Sequence, residues 1–520
     1  PSANTLNFHE NYFSLSFSEY VKTPSVENAI YISPSLGVLT YEWSGTSVDV
    51  YFSQQLKDKV TYVITIGTDV ADINNNNHLK EAYSFAFSTG SSIDSSKIVG
   101  KVFDEQPSGI FIFGYNSRNY NFDTLSPKYV QPDYITQTGS DGTFTLSHLA
   151  FGHYRIFAVR DKERNLLFDE ETDEIGIARS DITLVDSIPI VYDVLFQIAQ
   201  KDLISPYIFS AEAVNSTEVV IIMSEPIDTI SLRNKITILD SLTRLPLQIL
   251  DVYSDVPMQK KIFVQTEQQR ETIYLIEFHE LNDTVGNSIR NEMRSIAFEG
   301  NTTADTVLPR IIFSSLRDSM RDVECAEQFM FTFSTPIIMD QSSEWFSFTD
   351  SSANNISLKY EWKSPRTVIF SPKYKLANTS WYSFQLLLNA VESKSGKKNQ
   401  DSVMKVRFKT VDENIYGVLK GKIIMNENLH SLQHIIIQAK NLEMQKAPLR
   451  TTMANSQGEF LFENLYAGKH VLSAFIDDDN DKKYSRGNIV PFIPSEQFVV
   501  HPDTIKIRSR WSVEGITIKF

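Results

Sequence analysis

Cysteine is nearly absent from the sequence, and long hydrophobic runs are missing. Cys325 is the single cysteine among 520 residues, so the chain can form neither an internal disulfide nor a thiolate cluster for a metal ion. The longest apolar runs, such as Val219–Met223 and Ile435–Ile437, are much shorter than the roughly 20 residues of a membrane-spanning helix. The sequence therefore predicts stability from packing alone and no transmembrane helix.

Positive charge is also scarce. The chain has 49 Lys and Arg against 64 Asp and Glu, a formal net charge of −15. A surface of this sign repels phosphate backbones, which argues against nucleic acid as a partner. Because 42% of the residues are hydrophobic, the chain can build real cores, and its 520 residues indicate several domains.

Short stretches of alternating apolar and polar residues run along the whole chain. Tyr12–Phe17, Tyr62–Ile66 and Phe329–Phe333 are examples, and turn clusters such as Asn74–Asn77 separate them. Alternation is typical of half-buried antiparallel strands, and the 34 Phe and 22 Tyr suit a pleated surface. We predict an all-β fold built from sandwiches.

Internal repeats divide the chain into two types of module, A and B. Residues 141–168 match residues 457–484 at a constant offset of 316, which defines type B. Type A shares a strand end that reads Phe17-Ser18-Glu19, Met223-Ser224-Glu225 and Phe333-Ser334-Thr335. The order A-B-A-A-B predicts a tandem, linear array of five β-sandwich modules, with the boundaries 1–92, 93–200, 201–302, 303–412 and 413–520.

The A modules carry four recurring motifs. These are Ser224-Glu225-Pro226-Ile227, Tyr274-Leu275-Ile276, Asp283-Thr284-Val285-Gly286-Asn287 and Phe87-Ser88-Thr89. With these motifs the A modules resemble the bacterial immunoglobulin-like (Ig-like) domains of surface-layer and envelope proteins. The first module departs from the pattern, since Tyr20 stands in place of the proline.

The B modules share Asp141-Gly142-Thr143-Phe144 and its copy Gln457-Gly458-Glu459-Phe460. This pattern is similar to the carboxypeptidase-regulatory, transthyretin-like sandwich, although His470 replaces an expected tyrosine. The combination of both types resembles large Ig-like lipoproteins of Gram-negative outer membranes. The resemblance implies a location in the cell envelope, at the outer membrane, and a lipid anchor on a cysteine upstream of Pro1. This anchor would be the only part of the protein that associates with the membrane.

One duplicated acidic loop is a candidate calcium site. Oxygen-bearing side chains recur at positions 1, 3 and 5 of both copies: Asp161, Glu163 and Asn165, then Asp477, Asp479 and Asp481. Ca²⁺ takes about six to eight oxygen ligands, of which such a loop can supply three. Position 6 is Leu166 or Lys482 instead of the glycine of an EF-hand, and Lys162 and Arg164 weaken the first copy. The alternative is a solvated turn whose side chains bond their own backbone.

Familiar catalytic signatures are missing from the sequence. The nine histidines form no His-Glu-x-x-His pair, and no Gly-x-Ser-x-Gly elbow occurs. Cys325 lies among carboxylates, which raise the pKa of a thiol. We predict that the protein is not an enzyme. Two alternatives stay open: a glycan-binding surface protein that uses Trp43 and Trp362, and a glycan-processing enzyme whose carboxylates meet only in the fold.

Triplets of Asp, Ser or Thr, and an aliphatic residue suggest modification. They resemble the acceptor of O-glycosylation in exported proteins of some Gram-negative bacteria, although a turn that opens a strand explains them equally well. The triplets begin at Asp123, Asp186, Asp228, Asp240, Asp283, Asp305, Asp401 and Asp503.

Together these features predict a non-enzymatic scaffold or interaction protein of the cell envelope. Its partners would be other proteins. It would act as an accessory subunit of an outer-membrane β-barrel or another envelope complex, or it would bind the surface of a neighbouring cell in adhesion. Glycans are the alternative partner.

Overall fold

The computed structural model describes residues 3–229, 232–254, 260–338, 345–399, 403–425, 434–444 and 447–520. Nearly all of its regular structure is β-strand, arranged in ten sheets, so the predicted all-β fold is confirmed. Three residues of the predicted triplets, Ile230, Asp401 and Ser402, lie outside the described residues. The module boundaries given above stay predictions.

The first sandwich contains six strands and one short helix. Its elements are β1 (Tyr12–Ser16), α1 (Thr23–Glu27), β2 (Ile30–Ser33), β3 (Leu39–Ser44), β4 (Ser47–Phe52), β5 (Thr61–Ile66) and β6 (Tyr83–Ser88). The strand orders are β1-β4-β3 and β2-β5-β6, all antiparallel. Every second side chain of β4 is buried in the core, as alternation predicts: Val48, Val50 and Phe52.

The second sandwich contains eight strands. They are β7 (Ser96–Phe103), β8 (Phe111–Asn116), β9 (Tyr134–Gln137), β10 (Thr143–Leu149), β11 (Gly152–Arg160), β12 (Glu174–Ile177), β13 (Ile182–Leu184) and β14 (Ile190–Gln197). One sheet is ordered β10-β7-β14, and the other β12-β11-β8-β9 with β13 also on β11. Strand β11 is buried on both faces: Ile156 faces the core between the sheets, and Phe157 joins a separate outer cluster.

The third and fourth sandwiches each pair two sheets. The third has β15 (Ile208–Asn215), β16 (Glu218–Met223), β17 (Ile236–Asp240), β18 (Ile249–Ser254), β19 (Lys261–Thr266), β20 (Ile273–Phe278) and β21 (Ser295–Glu299), with 3₁₀ turns at Leu232–Lys235 and Asn291–Met293. The fourth has β22 (Ile311–Ser314), β23 (Met320–Val323), β24 (Phe329–Phe333), β25 (Phe346–Asp350), β26 (Leu358–Trp362), β27 (Thr367–Pro372), β28 (Trp381–Leu387) and β29 (Val403–Thr410), with a 3₁₀ turn at Leu388–Ala390. The strand orders are β15-β16-β19-β18 with β17-β20-β21, and β22-β24-β27-β26 with β23-β29-β28-β25.

The fifth sandwich repeats the topology of the second. After a 3₁₀ turn at Glu413–Ile415 come β30 (Tyr416–Ile424), β31 (Ile435–Asn441), β32 (Arg450–Met453), β33 (Glu459–Tyr466), β34 (Gly468–Ile476), β35 (Phe498–Val500), β36 (Ile505–Ile507) and β37 (Ser512–Lys519). The orders β33-β30-β37 and β32-β31-β34-β35 mirror those of the second sandwich, including the parallel pair β30–β37, which matches β7–β14. The turn glycines Gly142 and Gly458 both have positive φ, 83° and 77°.

The sandwiches group into two compact units. Unit 1 consists of residues 1–201 and 416–520, and unit 2 consists of residues 202–415. The tandem array of β-sandwiches that the repeats predict is confirmed, and its first, second and fifth sandwiches belong to one compact unit. The physical reason is aromatic packing between distant sandwiches, because Phe103 of β7 meets Phe498 of β35 at a ring-centroid distance of 5.7 Å.

Candidate functional site

The first acidic loop connects β11 to β12 and closes around two buried aspartates. Asp161 follows β11 directly, and its Oδ2 accepts the backbone N–H of Leu166 at 2.8 Å. Asp173, which has no exposed surface, accepts the N–H of Lys162 at 3.0 Å and the N–H of Asp169 at 2.9 Å. These bonds wrap the backbone of the loop around the two carboxylates.

The second acidic loop connects β34 to β35 and repeats the same bonds. Oδ2 of Asp477 accepts the N–H of Lys482 at 3.2 Å. Glu496 accepts the N–H of Asp478 at 2.7 Å and the N–H of Ser485 at 2.8 Å. All three donors lie at the offset of 316 from their counterparts in the first loop. Glu496 therefore takes the structural place that Asp173 has in the first copy.

The backbone of both loops turns through left-handed conformations at positions 4 and 6. The φ angles are 56° at Arg164 and 61° at Leu166, then 63° at Asn480 and 65° at Lys482. Left-handed backbone favours glycine, and side-chain-bearing residues adopt it only where the surroundings hold them. The position-6 glycine of an EF-hand is therefore missing from the sequence, while the left-handed turn at that position is present in both copies.

Three carboxylates converge in the second loop. Oxygen atoms of Asp477, Asp479 and Glu496 lie within 4.8 Å of one another; Asp477 and Glu496 are buried and Asp479 is exposed. The predicted ligand Asp481 is not part of this group, and its Oδ1 accepts the N–H of Lys483 at 2.6 Å. The structure thus brings together two of the three predicted residues and adds Glu496. The binding of calcium stays a prediction.

The predicted residues of the first loop are arranged less compactly. Asp161 is buried, whereas Glu163 and Asn165 are exposed. Asn165 donates from Nδ2 to Oδ2 of Asp169 at 2.8 Å and accepts the N–H of Leu167. In the described part of the chain, groups of three or more adjacent His, Cys, Asp or Glu occur at two places, and neither includes Glu163.

Burial shifts the pKa of the inner carboxyls of both loops. Desolvation raises the pKa of Asp161, and the charge of Asp173 adds to the effect. Desolvation likewise raises the pKa of Glu496, beside Asp479 and Asp477. The pKa of Asp479 is lowered instead, first because the hydroxyl of Ser485 donates to its Oδ2 at 2.9 Å. For Asp161 and Glu496, the loss of hydration on burial therefore outweighs the backbone hydrogen bonds that stabilise the charged form.

A second acidic group lies in unit 2, and the sequence analysis did not identify it as a site. Oxygen atoms of Asp202, Glu225 and Asp283 lie within 4.8 Å of one another. Desolvation raises the pKa of Glu225, and the charges of Asp283 and Asp202 raise it further. In the fourth sandwich Thr335 and Ser393 stand at the positions that match Glu225 and Asp283, 110 residues later, so this acidic group does not recur there.

The two tryptophans considered for glycan stacking are packed within their sandwiches. Trp43 donates from Nε1 to Glu27 at 2.9 Å and lies parallel to Phe17. Trp362 stacks against Phe333 and Trp345 at centroid distances of 5.9 Å. Trp362 and Trp345 also line a groove of about 290 Å³ in the fourth sandwich, together with the ion pair Glu392–Lys398.

An arginine joins the second and fifth sandwiches inside unit 1. Arg155 of β11 is 6% exposed and forms two bonds of 2.7 Å to the carboxylate of Asp181. Its guanidinium carbon lies 3.6 Å from the ring centroid of Phe492 and 4.6 Å from that of Phe122. Because Phe492 comes from the fifth sandwich, this cation–π contact joins the second and fifth sandwiches through residues that are more than 300 positions apart in the sequence.

A second buried arginine joins the third and fourth sandwiches inside unit 2. Arg366 pairs with Glu218 at 2.6 Å, and the two side chains are 8% and 5% exposed. Tyr253 accepts a bond from Nε of Arg366 at 3.1 Å and donates to Glu218 at 3.2 Å. The guanidinium also lies over the ring of Phe263 at 4.1 Å. The network satisfies a buried charge pair that spans the two sandwiches.

In the fourth sandwich, the thiol of Cys325 is not activated as a nucleophile, and a groove beside β22 and β29 is mostly apolar. Cys325 is buried, and burial with the neighbouring Glu413 raises the pKa of its thiol to about 11. A groove of about 630 Å³ in the fourth sandwich is lined mostly by apolar residues of β22 and β29, such as Ile312, Phe313 and Val403. No helix in the described part of the chain has the length and apolar character to cross a bilayer.

Two segments of the chain match a known protein family. Residues 1–89 and residues 305–410 match the family model of the bacterial Ig-like domain. The matched segments correspond to the first and fourth sandwiches and together make up less than half of the chain. These two sandwiches are similar to bacterial Ig-like domains, which are typically non-catalytic modules, and the match suggests a protein of the cell surface or envelope. The transthyretin-like assignment of the B modules and the lipid anchor stay predictions.

Solved structures match parts of the chain at low sequence identity and low TM-score, and the chain spans about half the length of the first of them. The N-terminal part of the bacterial S-layer protein SbsC is 13% identical, with 40% of this chain and 45% of that chain covered and a TM-score of 0.17. L,D-transpeptidase 3 from Mycobacterium tuberculosis is 13% identical, with 30% and 47% covered and a TM-score of 0.16. The I-band fragment I67-I69 from titin is 10% identical, with 53% and 95% covered and a TM-score of 0.13. No curated protein sequence matches the chain.

Proposed function

We propose that this chain is a non-catalytic scaffold of the cell envelope, held at the outer membrane by a lipid anchor upstream of Pro1. In this role it is an accessory subunit of an outer-membrane protein complex, or an adhesion module at the cell surface. The observation that carries the proposal is the match of the first and fourth sandwiches to bacterial Ig-like domains. O-glycosylation of the Asp-Ser/Thr-aliphatic triplets is part of the same proposal.

The packing of the sandwiches supports a scaffolding role. Arg155 and Arg366 each join two sandwiches through a buried, multiply bonded guanidinium. Buried clamps of this kind fix neighbouring surfaces within each unit, so a partner can recognise residues from more than one sandwich. The acidic surface, with a net charge of −15, favours partners with basic surfaces.

A native pull-down from solubilised membranes tests this proposal. The affinity-tagged full chain should bring down a large β-barrel or another envelope protein in a fixed ratio, identified by mass spectrometry. A matched tag on an unrelated envelope protein gives the background. Recovery of the chain alone, from both detergent extracts and cross-linked cells, would contradict the role as a subunit.

Glycan binding is the second candidate, favoured by the groove that Trp345 and Trp362 line. Indole faces suit the apolar faces of sugars, and Glu392 with Lys398 supplies polar groups at the rim. Retention of the chain on immobilised envelope polysaccharide, lost in Trp362→Ala, would favour this function over the scaffold.

A further inference from the structure

One oxygen atom of the first acidic loop is buried without a partner. Oδ1 of Asp161 has no hydrogen-bond partner among the residues that the structure describes, and Asp161 as a whole is 6% exposed. Its second oxygen bonds the N–H of Leu166 across the loop, so the carboxylate faces the loop interior. A buried carboxylate oxygen without a donor or a cation is costly, typically by several kcal/mol.

A second buried carboxylate lies beside it. Asp173 has no exposed surface and accepts the backbone N–H of Lys162, the residue next to Asp161, which places the two acids close together. The nearby basic side chains are engaged elsewhere: Lys162 donates from Nζ to the carbonyl of Thr172 at 2.6 Å, and Arg164 pairs with Asp69 at 2.9 Å. Both oxygens of Asp173 accept backbone N–H groups, so Oδ1 of Asp161 is the oxygen of this pair that is left without a donor.

The second loop offers the same arrangement with more carboxylates. Its backbone bonds and its left-handed positions match those of the first loop. Asp477, Asp479 and Glu496 bring their oxygens within 4.8 Å of one another, and Asn480 stands where the first loop has Arg164. The oxygens of these three residues all accept backbone N–H or hydroxyl donors, so a cation in the second loop is inferred from the close approach of three carboxylates and from the likeness to the first loop.

We propose that each loop binds one calcium ion, with Asp161 and Asp173 as the carboxylate ligands of the first and Asp477, Asp479 and Glu496 as those of the second. All of these ligands are oxygen atoms, which Ca²⁺ and Mg²⁺ prefer, whereas Zn²⁺ favours nitrogen and sulfur. The named carboxylates offer four oxygen atoms in the first loop and six in the second, and several of these already accept backbone N–H groups, so backbone carbonyls and water complete the shell. The second loop binds more tightly, because it supplies three carboxylates where the first supplies two.

The assignment of Asp173 and Glu496 gives both ions a structural role. Each of these acids lies towards the far end of its loop and accepts one backbone N–H from the second position of the loop and one from seven residues further along. An ion shared with the position-1 aspartate fastens the two ends of the loop together. Calcium therefore stabilises unit 1, because both loops belong to it.

Equilibrium dialysis of the full chain against CaCl₂, after removal of metal with EDTA, tests the proposal. The expected result is two ions per chain, with dissociation constants of about 10⁻⁴–10⁻³ M, the range of extracellular modules. Asp477→Asn and Asp161→Asn should each reduce the number to one, and the double variant to none. Asp479→Asn, at an exposed position that tolerates substitution, should weaken the second site about tenfold or more.

Controls separate ligand loss from general effects. Glu463→Gln removes an exposed acid of the fifth sandwich and should leave two ions bound. Saturating CaCl₂ should raise the melting temperature of the wild-type chain by about 3 °C or more, and of the double variant not at all. Circular dichroism verifies that each variant is folded, and an unfolded Asp161→Asn is replaced by Asp173→Asn.

No bound calcium at 5 mM CaCl₂ would overturn the proposal, and so would two ions in the folded double variant. Equal displacement by MgCl₂ at the same concentration would overturn the choice of calcium. The measurement uses the isolated chain without membranes or partners, so its failure leaves the proposed envelope role untouched.

Discussion

Replacing Arg366 by methionine should destabilise unit 2 by about 3–5 kcal/mol, because Glu218 is then buried without its counter-charge. Tyr253 also loses an acceptor role, and Phe263 loses the guanidinium over its ring. For a unit of this size the loss corresponds to a fall in melting temperature of roughly 10 °C, measured by calorimetry.

Two further variants show whether the effect comes from the buried charge. Arg317→Met removes an exposed arginine of the same unit and should change stability by less than about 0.5 kcal/mol. Arg366→Met combined with Glu218→Gln removes both charges and should recover part of the loss. If Arg366→Met melts like the wild type, the network does not hold the third and fourth sandwiches together.

Replacing Arg155 by alanine should destabilise unit 1 by about 2–4 kcal/mol. The variant loses the two bonds to Asp181 and the cation–π contacts with Phe122 and Phe492. Asp181 is 35% exposed and regains water, which keeps the loss below that of a fully buried pair. Denaturant unfolding measures the change, and proteolysis should cut the released segment around Phe492 sooner.

The role of Phe492 can be separated from that of Asp181. Arg155→Lys keeps the positive charge but loses the planar fork and the stacking, so it should recover little stability. Arg118→Ala, an exposed arginine of the second sandwich, is the matched control and should behave as the wild type. A coupling energy near zero between Arg155→Ala and Phe492→Ala would show that the fifth sandwich does not rest on this arginine.

The β fold and the repeated loops follow from local patterns in the sequence. Alternation sets which face of a strand is buried, as Val48 and Val50 of β4 illustrate. The constant offset of 316 predicted that residues 161–166 and 477–482 have matching conformations, and their φ angles and hydrogen bonds agree. The buried face of a strand and the conformation of a short loop depend mainly on residues that are close in sequence, so local patterns are enough to predict them.

The inner acids of the loops could not be found in this way. Asp173 and Glu496 are 323 residues apart, whereas the residues that they bond are 316 apart, so the segments leading to them differ by seven residues in length. A constant-offset comparison therefore does not align them. The signal that identifies them is their shared pattern of backbone bonds, which only the fold reveals.

The packing of the fifth sandwich against the second could not be predicted from sequence patterns either. In β11, Arg155 and Phe157 occupy the face that alternation assigns to solvent, yet both are buried. Their partners Phe492 and Ile489 lie in a loop without periodicity. A contact between irregular segments depends on the final placement of whole sandwiches, and local patterns do not encode that placement.

The central claim is that the first, second and fifth sandwiches form one body. Zero-length carbodiimide cross-linking of the dilute monomer tests it most directly, because Lys440 of β31 pairs with Glu105 of the second sandwich at 3.7 Å. Mass spectrometry should find a peptide that joins Lys440 to Glu105 in the monomer band, and Glu105→Gln should abolish it. Cross-links confined to sandwiches adjacent in sequence would contradict the claim.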